Sequence, residues 1–206
     1  MRKISIISLT IMFLCSAFAF AAPAPPAEIR GDISRFDGSA GIYAVNLKTG
    51  RSFTYNENVI FPTASTSKLI VTLAVYKYLY NTASQDKKSL YETDVSAMIK
   101  VSDNDSFYEL LDELAANRPA GLKSVIADLG LKKTFIHDDE AYKRYNYHSV
   151  TTPLEMAKVF QAIYDERYLG AKRSAQLKSQ LAETIFQDEI PRYTKHKVMH
   201  KIGQLD

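Results

Sequence analysis

Ser65-Thr66-Ser67-Lys68 opens an apolar run that extends to Leu79, and Ser102-Asp103-Asn104 follows downstream. A serine hydroxyl is a weak nucleophile until a base takes its proton. A lysine three residues on stands on the same helical face and can be that base. Desolvation at the mouth of an apolar helix depresses a lysine's pKa, which suits it to accept a proton. The second triplet adds a hydroxyl, Ser102, and a carboxamide, Asn104. Lys201-Ile202-Gly203, late in the chain, adds a cation and a residue without a side chain. Together these groups suit acyl transfer through an activated serine.

Several elements must hold them. Phe61-Pro62-Thr63-Ala64 leads into Ser65, and Leu69, Ile70, Leu73, Ala74, Tyr76 and Leu79 predict a buried helix behind it. Gly41 to Val45 and Ser52 to Tyr55 are β-rich runs around Asn46-Leu47-Lys48-Thr49-Gly50, a hairpin with a glycine-containing turn. Asp86 to Glu92 reads as a polar loop or short helix. Phe107, Leu110, Leu111 and Leu114 form a helical stripe behind Ser102, and Leu122 to Leu129 a short helix capped by Gly130. Thr152-Pro153-Leu154-Glu155 is a capping box with proline at the first helical position. Met156, Val159, Phe160, Ile163 and Tyr164 give that helix its core face, and Leu177, Leu181 and Ile185 mark one more. The run Lys197-Val198-Met199-His200 predicts a return to strand at Lys201. The fold class is α+β.

Residues 1–21 read as an export signal: a basic start at Arg2 and Lys3, an apolar Ile4 to Leu14, and Ala19-Phe20-Ala21 for cleavage. The apolar run is short for a bilayer, so no stable membrane anchor is expected and the location is periplasmic or secreted. A Pro-rich linker over 22–30 leads to a single domain over 31–206. Cys15, the only cysteine, leaves with the signal, so neither a disulfide nor a thiolate metal site is expected. The whole chain carries 26 basic and 23 acidic residues, and loss of Arg2 and Lys3 brings it close to neutrality. That balance argues against nucleic acid as the main partner. His137, His148, His196 and His200 do not fall at a metal-ligand spacing on a helix. No metal or cofactor is expected.

In this order, S-x-x-K, S-D-N and K-x-G resemble the motif set of class A serine β-lactamases and penicillin-binding serine hydrolases. The resemblance implies the β-lactamase/transpeptidase-like fold, an antiparallel sheet flanked by helices. It assigns Ser65 as nucleophile, Lys68 as proton acceptor or relay and Ser102 as proton shuttle to the leaving nitrogen. Asn104 binds the substrate amide and positions Lys68, while Lys201 attracts a substrate carboxylate. Gly203 lets substrate lie along the strand, and the backbone N–H groups of Ser65 and Gln204 form the oxyanion hole. Lys48-Thr49-Gly50 spells the third motif too, but it precedes the serine and reads as the hairpin turn. Ile202 departs from the family's usual Thr or Ser. In the family two strands and a helix follow the third motif, so a chain ending at Asp206 reads as truncated.

Class A enzymes place a water-activating glutamate in an Ω-shaped loop. Counting on from Gly130 points to Glu140, with Asp138 and Asp139 as neighbours; counting back from Thr151-Thr152-Pro153 gives another register. The expected reaction is acylation of Ser65 by a β-lactam followed by hydrolysis, in a monomer. A D,D-peptidase acting on peptidoglycan stem peptides with slow deacylation is the enzymatic alternative. A binding protein on the same fold is the non-catalytic one.

Overall fold

The computed structural model describes residues 23–205. The expected export signal and Cys15 lie outside them. The first described residues run along the sheet, where Thr54 N–H donates to Pro23 O at 3.3 Å, and α1 follows at Ala27–Arg35. Of the stretch expected to be linker over 22–30, residues 27–30 lie in α1.

β1 (Ile42–Val45) pairs antiparallel with β2 (Ser52–Tyr55), Ile42 opposite Tyr55. Asn46 shapes the turn, its Oδ1 accepting the N–H groups of Lys48 and Thr49 at 3.0 Å each. Gly50 adopts φ +70°, where a side chain would be strained. Lys48-Thr49-Gly50 is thus a turn, as expected.

A second ribbon carries the lead-in to Ser65. β3 (Phe61–Pro62) pairs with β4 (Val150–Thr151), and Thr63 N–H extends the ladder to Ser149 O at 3.0 Å. On the other side of β4, Phe135 and Val150 exchange both backbone bonds at 2.9 Å, and Asp138 N–H reaches His148 O at 2.9 Å. The segment 148–151 thus runs between 61–63 and 135–138.

The helices surround one apolar core. α2 (Ser67–Ala74) is buried along its whole length and widens into a π turn over Val75–Leu79. α3 (Gln85–Lys100) takes in the polar stretch expected to be a loop or short helix and is the helical alternative, longer than expected; Ser84 caps it by accepting the Lys87 N–H, and Tyr91, Val95, Met98 and Ile99 face the core. α4 (Asp105–Asn117) contributes Leu110 and Leu114, α5 (Gly121–Asp128) contributes Val125, and Gly130 closes the latter at φ +61°. α6 (Asp139–Tyr145) is short and mostly exposed.

α7 (Pro153–Tyr164) begins at the expected cap, where Thr152 Oγ1 accepts the Glu155 N–H at 3.2 Å. The reciprocal half of the box is absent: the buried Glu155 carboxylate takes the N–H groups of Lys132 and Lys133 and the Thr134 hydroxyl, at 2.7, 3.0 and 2.6 Å. It ties α7 to the loop before α6. Val159 and Ile163 are buried as expected, whereas Tyr164 is half exposed. α8 (Ala171–Ala182) buries Leu177 and Leu181, while Ile185 lies past its end and is exposed.

Residues 197–205 form no paired strand, contrary to the expected return to sheet. They are held through His200 N–H to Leu181 O at 3.1 Å and through the Lys201 side chain. Their backbone passes close to the turn that carries Ser65 without pairing with it as a strand. An apolar groove of about 1050 Å³ opens between the hairpin and α7, lined by Ile42, Ala44, Phe61, Met156 and Phe160. No helix among the described residues is long and apolar enough to cross a membrane.

Candidate active site

Ser65 stands in a single 3₁₀ turn, Ala64–Thr66, immediately before α2. Ala64 has φ +44°, a conformation uncommon without glycine, and the Thr66 hydroxyl donates to Thr63 O at 2.7 Å. The strained turn presents the serine at the edge of a cavity of about 500 Å³ while α2 runs into the core behind it. Lys68, one turn on, is 2 % exposed.

The Lys68 amine has four oxygens in reach: Ser65 Oγ at 3.0 Å, Asn104 Oδ1 at 2.7 Å, Ser102 O at 2.5 Å and Ser102 Oγ at 3.3 Å. Burial holds its pKa below the ordinary lysine value, opposed by the carboxylate of Asp103. A neutral amine has two N–H donors and a lone pair. The donors fit Asn104 Oδ1 and Ser102 O, which can only accept, and the lone pair fits the Ser65 O–H. Such an arrangement can take the proton of the serine.

The S-D-N triplet divides its duties. Asp103 Oδ1 accepts the Ser106 N–H at 2.7 Å and so caps α4, while Asn104 makes no side-chain cap bond. Its amide is therefore free for Lys68. Ser102 takes φ +60°, turning both its carbonyl and its hydroxyl to the lysine.

Lys201 reaches the same hydroxyl, its amine 2.8 Å from Ser102 Oγ and 2.8 Å from Ile202 O. It is 7 % exposed, and burial followed by repulsion from Lys68 lowers its pKa to about 8. Gly203 lies against the nucleophile's turn. A Cβ there would meet Thr63 O at 2.7 Å and Ser65 N at 3.1 Å, so only glycine permits the approach. Gln204 lines the cavity beside Ser65.

Seven of the eight expected site residues thus gather around one cleft. Glu140 does not join them. It is exposed on α6, paired with Lys143 at 2.7 Å, and it lines a neighbouring cavity with Arg144 and Leu122, on the far side of the Tyr108 and His137 that border both. The Ser65 cavity is instead walled by Tyr108, His137, Tyr147, His148 and Ser149. Reading the histidines by metal spacing alone missed these groups. No local signal marks them: they reach the cavity because β4 and the residues before it pair with the segment leading into Ser65. Among the described residues no cluster of three or more His, Cys, Asp or Glu could hold a metal.

Comparison with known proteins gives this geometry a setting. In structure the chain is similar to PBP-A, at 22 % identity and a TM-score of 0.69, covering 88 % of this chain and 79 % of the other. It is similar to a β-lactamase from Chitinophaga pinensis, at 18 % identity and 0.71, covering 87 % and 78 %. The TLA-3 extended-spectrum β-lactamase compares at 20 % and 0.71, covering 87 % and 77 %. At such identities these neighbours establish the fold. No curated protein matches the chain in sequence. The model of the beta-lactamase enzyme family matches residues 25–94 and 82–206, which takes in the serine–lysine turn, the S-D-N triplet and Lys201 to Gly203. The chain belongs to the beta-lactamase enzyme family.

Proposed function

We propose that the protein is a serine hydrolase acylated at Ser65, with β-lactams as its substrate class. The observation that carries this reading is the buried Lys68 amine, 3.0 Å from Ser65 Oγ and 2.7 Å from Asn104 Oδ1. Neutral Lys68 takes the Ser65 proton as Oγ attacks the lactam carbonyl. The N–H groups of Ser65 and Gln204 meet the developing oxyanion. Donors so placed are worth ~10²–10³ in rate. Ser102 then gives its proton to the departing nitrogen and recovers one from a neighbouring lysine. Lys201 draws the substrate carboxylate into the cleft. A mutant of PBP-A is known as an acyl-enzyme complex with penicillin G, which supports an acyl intermediate as the thing to look for.

A second reading, a penicillin-binding D,D-peptidase on stem peptides with slow deacylation, is favoured by two observations. Glu140 lies outside the cavity, and Ile202 offers no hydroxyl beside Lys201, whose amine folds back to the Ile202 carbonyl. On either reading residues 1–21 direct export to the periplasm or beyond.

Intact-mass spectrometry after incubation with benzylpenicillin is the test. The parent gains one drug-sized adduct and Ser65→Ala gains none. An adduct that persists in Ser65→Ala would place the acylation elsewhere. Complete turnover against a return that takes hours separates the two readings.

A further inference from the structure

We propose that His137 is the base that activates water to hydrolyse the acyl group from Ser65; this rests on the acyl-enzyme reading above. His137 lines the same cavity as Ser65, Lys68 and Asn104, and no described residue lining it is a carboxylate. An unprotonated imidazole nitrogen can take a proton from water, and His137 and His148 are the two imidazoles that line this cavity.

Its backbone is tied, through Ser149, to the segment that leads into Ser65, and its side chain is exposed to the cavity mouth. Ser149 O accepts the N–H and hydroxyl of Thr63, two residues before the nucleophile, at 3.0 and 3.3 Å. Ser149 Oγ accepts the His137 N–H at 2.9 Å. One residue thus spans the serine's segment and the histidine's. His137 is held at φ +50°, an outlier of the kind that gathers at functional sites. Its ring is bracketed by Tyr108, edge-on at 6.3 Å, and by His148 at 6.0 Å. His148 is engaged elsewhere, stacked on Tyr142 at 4.4 Å with Nδ1 3.6 Å from Asp139. The titratable and charged groups around His137 are Tyr108 and Asp112 on α4, Lys123 on α5, Lys132, the adjacent Asp138, Glu140 and Arg144 on α6, Tyr147 and His148 before β4, Asp139 behind His148, and Lys68 on α2; those from Asp112 to Arg144 line a second cavity that His137 also borders.

The chemistry closes without any co-reactant but water. A water oxygen bonds to the acyl carbon as its proton passes to the His137 ring nitrogen. The tetrahedral intermediate then breaks its bond to Ser65 Oγ, and the imidazolium returns the proton to that oxygen. A carboxylic acid and free Ser65 remain.

Decay of the benzylpenicillin adduct, followed by intact mass between pH 5 and 9, tests the assignment in the parent, His137→Gln and His137→Gly. The glycine variant relieves the left-handed backbone, so it folds even where the glutamine does not. Acylation remains in the variants, while the adduct's lifetime rises ~10²–10⁴-fold, the usual worth of a general base. The parent's decay rate climbs through the histidine range and the variants lose that step; added imidazole restores decay in His137→Gly. Unchanged decay in both variants overturns the proposal while leaving the acyl-enzyme reading intact. Loss of the step in His148→Gln instead also overturns it. A parent that never forms the adduct fails the acyl-enzyme reading itself, and this proposal with it.

Discussion

Lys201 Nζ lies 2.8 Å from Ser102 Oγ, and Lys68 Nζ lies 3.3 Å from the same oxygen. One hydroxyl is therefore shared by two buried amines. Each amine disfavours a charge on the other, and Lys201 titrates at about 8. The site can pass a proton along Lys68, Ser102 and Lys201 with small changes in position.

Binding and stability should consequently move in opposite directions with pH. Substrate carboxylate affinity is fullest below pH 8 and falls as Lys201 loses its charge. Stability has the other sign. The folded pKa lies below the unfolded value of about 10.4, so between pH 8 and 10.4 the unfolded chain binds more protons and stability rises with pH. The gain is on the order of 3 kcal/mol. Lys201→Met should abolish both trends, read from denaturant midpoints and from acylation rates against pH.

Gly203→Ala should slow acylation while leaving the melting temperature nearly unchanged. The added methyl would meet Thr63 O at 2.7 Å, so residues 203–205 must swing away from Ser65. A misplacement near 1 Å costs ~10²-fold in rate. Stopped-flow acylation beside a thermal melt separates the two effects; a parent-like rate would show that the backbone here has no part in the chemistry.

Glu155→Ala should destabilise the fold by about 3 kcal/mol, since it leaves buried donors of Lys132, Lys133 and Thr134 without their charged acceptor. Amide exchange should quicken across residues 132–137 before it quickens in α2. Uniform exchange throughout would mean that Glu155 supports the core as a whole.

Glu140→Gln should change neither acylation, nor deacylation, nor stability beyond about 0.5 kcal/mol, the ordinary range for an exposed site. Only the surface pair with Lys143 is lost. Trapping of an acyl-enzyme in this variant would return the role of water activation to α6.

The helices were legible because burial leaves a period in the sequence: Leu69, Ile70 and Leu73 behind Ser65, Leu110 and Leu114 behind Ser102. The motifs were legible because spacing along one helix dictates contact, as between Ser65 and Lys68. Two things left no such mark. Asp86 to Glu92 is polar on its exposed side, which left loop and short helix open, and the full length of α3 rests on the Ser84 cap and on packing by Tyr91, Val95, Met98 and Ile99. The histidine wall depends on pairing between residues far apart in the chain, Phe135 with Val150 and Thr63 with Ser149, which no local period announces. Counting along the loop reached Glu140 because it assumed a loop of family length.

Ala64, Ser102 and His137 all carry left-handed backbone, at φ +44°, +60° and +50°. Each is uncomfortable by on the order of 1–3 kcal/mol in a residue with a side chain. A library of variants sorted by heat tolerance alone would therefore drift toward Ala64→Gly, Ser102→Gly and His137→Gly. Two of those exchanges delete a polar side chain from the cleft, and the third slackens the turn beneath Ser65. The most robust descendants of this sequence would be the ones that had forgotten its chemistry.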